Sequence, residues 1–95
     1  MTNYRRGQRA EWKARDLLLE QGAITVIRAA GSKGPIDLVA IGRNQTRLVQ
    51  VKRGRGISEM EWTALSVLKR HLSAFYSIEV WHFIKGQRAP DVEIL

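Results

Sequence analysis

Asp37 follows a glycine-rich stretch, Gln50 and Lys52 stand two residues apart beyond it, and Glu11 lies on an apolar helical stripe earlier in the chain. Gathered in one place, these side chains have the parts that phosphodiester hydrolysis needs. Oxygen ligands hold a hard divalent cation, which generates hydroxide and stabilises charge growing on phosphorus. Asp37, Gln50 and the Val51 carbonyl are candidate ligands, with Glu11 joining directly or through water. A nearby ammonium, that of Lys52, can orient the water or stabilise the transition state. The cation expected is Mg²⁺, with Mn²⁺ able to replace it. The plainer reading is a cross-strand ion pair between Asp37 and Lys52.

What must position these groups is a β-hairpin. Ile36 to Lys52 holds two apolar runs, Ile36–Ile41 and Leu48–Val51, around the polar segment Gly42–Thr46. β-Branched arms with Gly and Asn between them predict paired strands. Side chains alternate faces along a strand, so Gln50 and Lys52 share a face. A turn centred between Asn44 and Gln45 puts Asp37 opposite Lys52 and Val39 opposite Gln50, at the open end of the hairpin.

Glu11 belongs to a helix predicted over Tyr4–Gln21, with Ala10, Ala14, Leu17, Leu18 and Leu19 as its stripe and Gly22 as its stop. An inward carboxylate is costly unless it is paired or bound to a cation. A boundary glutamate bonded to Arg15, or simply solvated, is the alternative. Arg5, Arg6 and Arg9 sit at the helix start, where the dipole disfavours cations, and a polyanion would offset that repulsion.

Ala23–Ala29 predicts a strand, with Arg28 an unpaired-looking charge near its end. Gly31-Ser32-Lys33-Gly34-Pro35 must be a loop, which is either a plain connection or a place where main-chain amides, Ser32 and Lys33 approach a ligand. Beyond the hairpin, Arg53-Gly54-Arg55-Gly56 is a basic link. Ser58 and Glu61 form a capping-box pattern for a helix over Glu59–Ala74. Trp62 falls at the edge of that helix's apolar stripe and suits packing. Ser77–Ile84 predicts a strand with apolar residues on both faces, central or at an interface. His82 within it reads as a strand histidine, and no second histidine stands at metal spacing. Val92–Leu95 can add a short last strand. The order predicts an α/β fold, a small mixed β-sheet flanked by helices, in a single domain over residues 1–95.

The bulk numbers agree with a nucleic-acid partner. Sixteen Lys and Arg against nine Asp and Glu give a formal charge of +7, and basic chains gain affinity for phosphates by counterion release. Without cysteine there is no disulfide, thiolate metal site or cysteine nucleophile. No apolar run nears the roughly 20 residues that span a bilayer, and the first residues have no signal-peptide core. A soluble, cytoplasmic, DNA-associated protein with no membrane partner is expected. The short chain and the two-faced apolar strand predict a homodimer.

Pro35-Ile36-Asp37 followed by Gln50-Val51-Lys52 resembles the PD-(D/E)XK nuclease signature. The longer run resembles archaeal-type Holliday junction resolvases: Arg5-Arg6-Gly7, Ala10-Glu11, Arg28, Gly31-Ser32-Lys33, Asp37-Leu38-Val39-Ala40 and Val49-Gln50-Val51-Lys52-Arg53. The resemblance implies an αβββαβ restriction-endonuclease-like core. It further implies a homodimeric, metal-dependent endonuclease that nicks opposed strands of four-way junctions in DNA recombination and repair. It makes Glu11, Asp37, Gln50 and Lys52 the catalytic and metal centre, with Ser32 acting in cleavage. Arg5, Arg6 and Arg9 would bind DNA, and Arg28, Lys33, Arg53 and Arg55 are further basic candidates. One departure stands out: Gln50 occupies a position where these resolvases usually carry glutamate, so the site has one formal negative charge fewer. Activity on flaps, nicks or plain duplex, or a module that binds nucleic acid without cutting, are the alternative readings.

Overall fold

The computed structural model describes residues 3–29 and 34–95, and side chains from residue 9 onward. Helix α1 (Asn3–Glu20) leads into strand β1 (Thr25–Arg28), then β2 (Leu38–Ile41) and β3 (Thr46–Arg53). Helix α2 (Glu59–His71) crosses to β4 (Tyr76–Phe83), and β5 (Asp91–Ile94) ends the chain's regular structure. The sheet order is β1-β2-β3-β4-β5, antiparallel except for β3 and β4. A parallel pair needs a crossover, and α2 supplies it.

Both helices begin or end where their sequences specify. Gly22 sits at φ +102° beyond α1, and Ala23 and Gly22 donate to the Leu18 and Leu19 carbonyls. This is a Schellman cap, and the left-handed position explains the glycine. At α2 the Ser58 hydroxyl accepts from Glu61 N–H at 3.1 Å, while the Glu61 carboxylate accepts from Ser58 N–H at 3.3 Å.

The helices cover opposite faces of the sheet. Ala14 and Leu18 of α1 pack on Leu38, Ala40, Val49 and Trp81. On the other face Leu65 of α2 packs on Ile78 and Val80, with Leu48, Leu68 and Leu72 around them. The two-sided apolar pattern of β4 is therefore satisfied within the chain. β4 is an interior strand between β3 and β5, the central placement of the two the sequence allowed, and its apolar faces give no support to an interface. The charges on the α1 face are also internal: buried Glu79 accepts a bidentate pair of bonds from Arg47 at 2.8 Å each. Ser77 and Trp81 complete its shell, as a buried carboxylate requires.

The hairpin register differs from the sequence expectation by two residues along one arm. Leu38 pairs with Val49 and Ile41 with Thr46, which puts Val39 opposite Leu48 rather than Gln50 and leaves Asp37 short of Lys52. The cause is the turn. Gly42 N–H donates to the Gln45 carbonyl at 2.9 Å, and a Cβ at Gly42 would meet that same oxygen at 2.9 Å. Glycine lets the backbones close there, leaving Arg43 and Asn44 as a two-residue loop.

Candidate active site

β2 stops at Leu38 while β3 runs on to Arg53, and the candidate residues gather at this step. Asp37 leaves the regular ladder: its N–H donates to the Val49 carbonyl on β3 while its carbonyl turns the other way and accepts from Ala29 N–H, both at 2.9 Å. Its side chain then takes over, Oδ2 accepting from Val51 N–H at 2.7 Å. The N–H and C=O of one strand residue point the same way. The Val51 carbonyl therefore also faces the side that β2 has vacated. Burial raises the Asp37 carboxyl above the usual aspartate range; the Val51 N–H opposes this, Glu11 and Glu61 add to the rise, and Lys52 lowers it.

Gln50 and Lys52 point to the α2 side, as their shared face predicts. There they meet a residue that sequence reading assigned only to a helix cap. Glu61 Oε2 accepts from Gln50 Nε2 at 2.7 Å and pairs with the Lys52 ammonium. The Lys52 bond comes first among the causes that hold the Glu61 carboxyl below its ordinary value. Lys52 thus pairs with Glu61, and the Asp37–Lys52 ion pair of the plainer reading does not form. The other polar atom of the Gln50 amide, Oε1, is buried and has no hydrogen-bond partner. Nothing in the local sequence signals that α2 delivers its third residue onto β3; the parallel crossover does so.

Glu11 is half-buried beside fully buried Ala14 and Leu18. Its Oε1 accepts from Arg28 Nε at 2.7 Å, so the charge that looked unpaired on β1 is paired. Arg15 instead bonds its neighbour Asp16. Among the described residues, no three His, Asp or Glu side chains are grouped closely enough to hold a metal ion by themselves. Any such site here needs the amide and main-chain oxygens as well.

The basic residues divide into two groups. Arg9 and Arg53 line an open groove with Ala10, Phe83 and two cations sequence reading passed over, Lys13 and Lys85. Lys13 Nζ lies 5.8 Å from the Phe83 ring centre, a cation–π distance. Arg55 is on the other side of the link, bonded to Asp91 and Gln87. The side chains of Arg5 and Arg6, together with Ser32 and Lys33, lie outside the described residues. His82 is a strand histidine as expected, bonded to the Gly54 carbonyl and Glu93. Trp62 is 40% exposed and contributes less to packing than its place on the stripe suggested. No helix among the described residues is long and apolar enough to cross a membrane.

No family model matches the chain, and no curated protein matches it. Among solved structures, Hjc from Archaeoglobus fulgidus, a Holliday junction resolvase from an archaeal hyperthermophile, is similar with a TM-score of 0.69. The match covers 95% of this chain and 71% of Hjc at 21% sequence identity. An α/β sheet of five strands between two helices, arranged as in that resolvase, is the fold of this chain.

Proposed function

We propose that this chain is a divalent-cation-dependent DNA endonuclease selective for branched structures, four-way junctions above all, acting through one catalytic unit over residues 1–95. The reading rests on the Asp37 carboxylate held by Val51 N–H on β3 together with the buried, unpartnered amide oxygen of the preceding residue, Gln50. A buried acceptor without a donor calls for an explanation, and a bound ion is one of few available. Hard cations take carboxylate, amide and main-chain oxygens alike, so the residues fit Mg²⁺ or Mn²⁺. Asp37, Gln50 and the Val51 carbonyl would hold the ion, with Glu11 nearby. When bound, such an ion lowers the pKa of a coordinated water and offsets charge on the phosphoryl oxygens.

The chain's own groups do the rest. Val51 N–H fixes the Asp37 carboxylate. Lys52 supplies a positive charge on the Gln50 face, suited to orienting water or stabilising developing anionic charge. Arg9, Lys13, Arg53 and Lys85 form a cationic groove suited to a phosphate backbone. A homodimer would place two such sites on opposed strands, and exposed Met60 and Ile94 offer apolar surface for it.

The test is a cleavage time course on a labelled four-way junction beside a linear duplex of the same sequence, with Mg²⁺, Mn²⁺ or chelator. Junction cleavage that requires the cation is expected; equal cutting of the duplex moves the activity to the wider nuclease class. The ion pairs that engage both Glu11 and Lys52 favour a second reading, a junction-binding module that does not cut. Tight binding without cleavage under either cation would establish it.

A further inference from the structure

We infer that Glu61 is a positioning residue of the cation site: it fixes the Gln50 amide with Oε1 available to a divalent ion and supplies the negative charge that Gln50 lacks. The inference rests on the metal-dependent reading above.

An amide has two nearly identical ends, and which one faces a cation decides whether it attracts or repels. At Gln50 the choice is forced. A carboxylate only accepts, so the 2.7 Å bond to Glu61 Oε2 must come from the NH₂ end. The carbonyl end is then left on the other side, buried and without a donor. Gln50 is 5% exposed, so water does not satisfy this oxygen from bulk. An orphan acceptor held this way costs stability, of a kind that a bound cation relieves.

Charge points the same way. Glu61 sits on the same polar cluster as Gln50 and Lys52, and one of its oxygens remains with the Ser58 cap. A glutamine on β3 bonded to a glutamate on α2 carries the same net charge as the reverse arrangement.

The capping box makes the role separable from a structural one. Glutamine serves as well as glutamate at the third helical position of a box, so Glu61→Gln keeps the cap while removing the charge and the obligatory acceptor. Calorimetric Mg²⁺ titrations would compare the unaltered protein, Asp37→Asn, Glu61→Gln, Glu61→Ala and the exchanged double variant Gln50→Glu/Glu61→Gln, each with a thermal melt. Expected is a loss of Mg²⁺ affinity of about tenfold or more in Glu61→Gln, the usual scale for residues that orient metal ligands, with the melt little changed. The double variant should recover most of that loss, whereas Glu61→Ala should lose both affinity and thermal stability. Glu61→Gln binding Mg²⁺ as the unaltered protein does, while Asp37→Asn does not, overturns this inference and leaves the metal-dependent reading intact. Failure of the double variant to recover affinity also overturns it. No Mg²⁺ binding by the unaltered protein overturns both.

Discussion

The Val51 amide donates to Asp37 Oδ2 at 2.7 Å, so a side-chain oxygen stands where β2 no longer provides a main-chain one. Asp37→Asn retains an acceptor for that amide and removes the charge. Cleavage should fall on the order of a hundredfold or more, the scale of single electrostatic interactions with a transition state. Junction binding should stay within a few-fold, as measured by gel shift.

The same substitution has a pH signature in the protein without cations. Burial raises the Asp37 carboxyl, so folding favours its protonated form. The associated stability is present below the ordinary aspartate range and is lost as pH rises through the raised value. Asp37→Asn should therefore melt higher than the unaltered protein at neutral pH, and the gain should vanish in acid. Melts that differ equally at every pH would contradict the burial argument.

Glu11→Gln should lose most cleavage with little change in melting temperature. The Glu11–Arg28 pair is partly exposed, and such pairs contribute about 0–1 kcal/mol, while Ala14 and Leu18 hold α1 in place. An unchanged rate would make Glu11 a brace for Arg28 and nothing more.

Neutralising the groove should act on binding and spare chemistry. Lys13→Gln, Arg53→Gln and Lys85→Gln should each weaken junction affinity and lower the salt slope by about 1 for each phosphate that is no longer neutralised. Titrations at several ionic strengths test this; an unaltered slope would remove the groove from the DNA path.

The parts legible in the sequence are those set by local chemistry. Gly22, the Ser58–Glu61 box and the alternation of Gln50 with Lys52 predict both helix boundaries and the shared face. Asp37 is readable as a candidate site residue because it combines charge with an apolar strand. What stays hidden depends on elements meeting at a distance. Arg28 looks unpaired because its partner is on α1, and Glu61 looks spent on its own helix. Lys13 and Lys85 are ordinary surface lysines until α1 and the end of β4 bring them to one groove. The register is not legible because Gly42 looks like one of several turn residues, when its close approach to Gln45 decides where the turn closes.

Acid should unfold the protein partly through Glu79. Burial alone would raise its carboxyl, but bonds from Arg47, Trp81 and Ser77 outweigh that and lower it. Stability from this group is present above the ordinary glutamate pKa of about 4.3 and is lost as pH falls below it toward the lowered value. Glu79→Gln should cost about 2 kcal/mol or more at neutral pH by leaving Arg47 without a counter-charge. Its stability should also fall less steeply in acid, which denaturant titrations across that range would reveal.

Because β2 pairs no further than Leu38 with Val49, the last part of β3 is stitched to the sheet on one side only. The Val51 amide is guarded by one carboxylate on that open side. Its exchange with solvent then follows the excursions of the Asp37 side chain, while the amides of Gln50 and Lys52, turned toward β4, wait for the parallel pair to open. Two clocks run on neighbouring residues of one strand, and the faster belongs to the site.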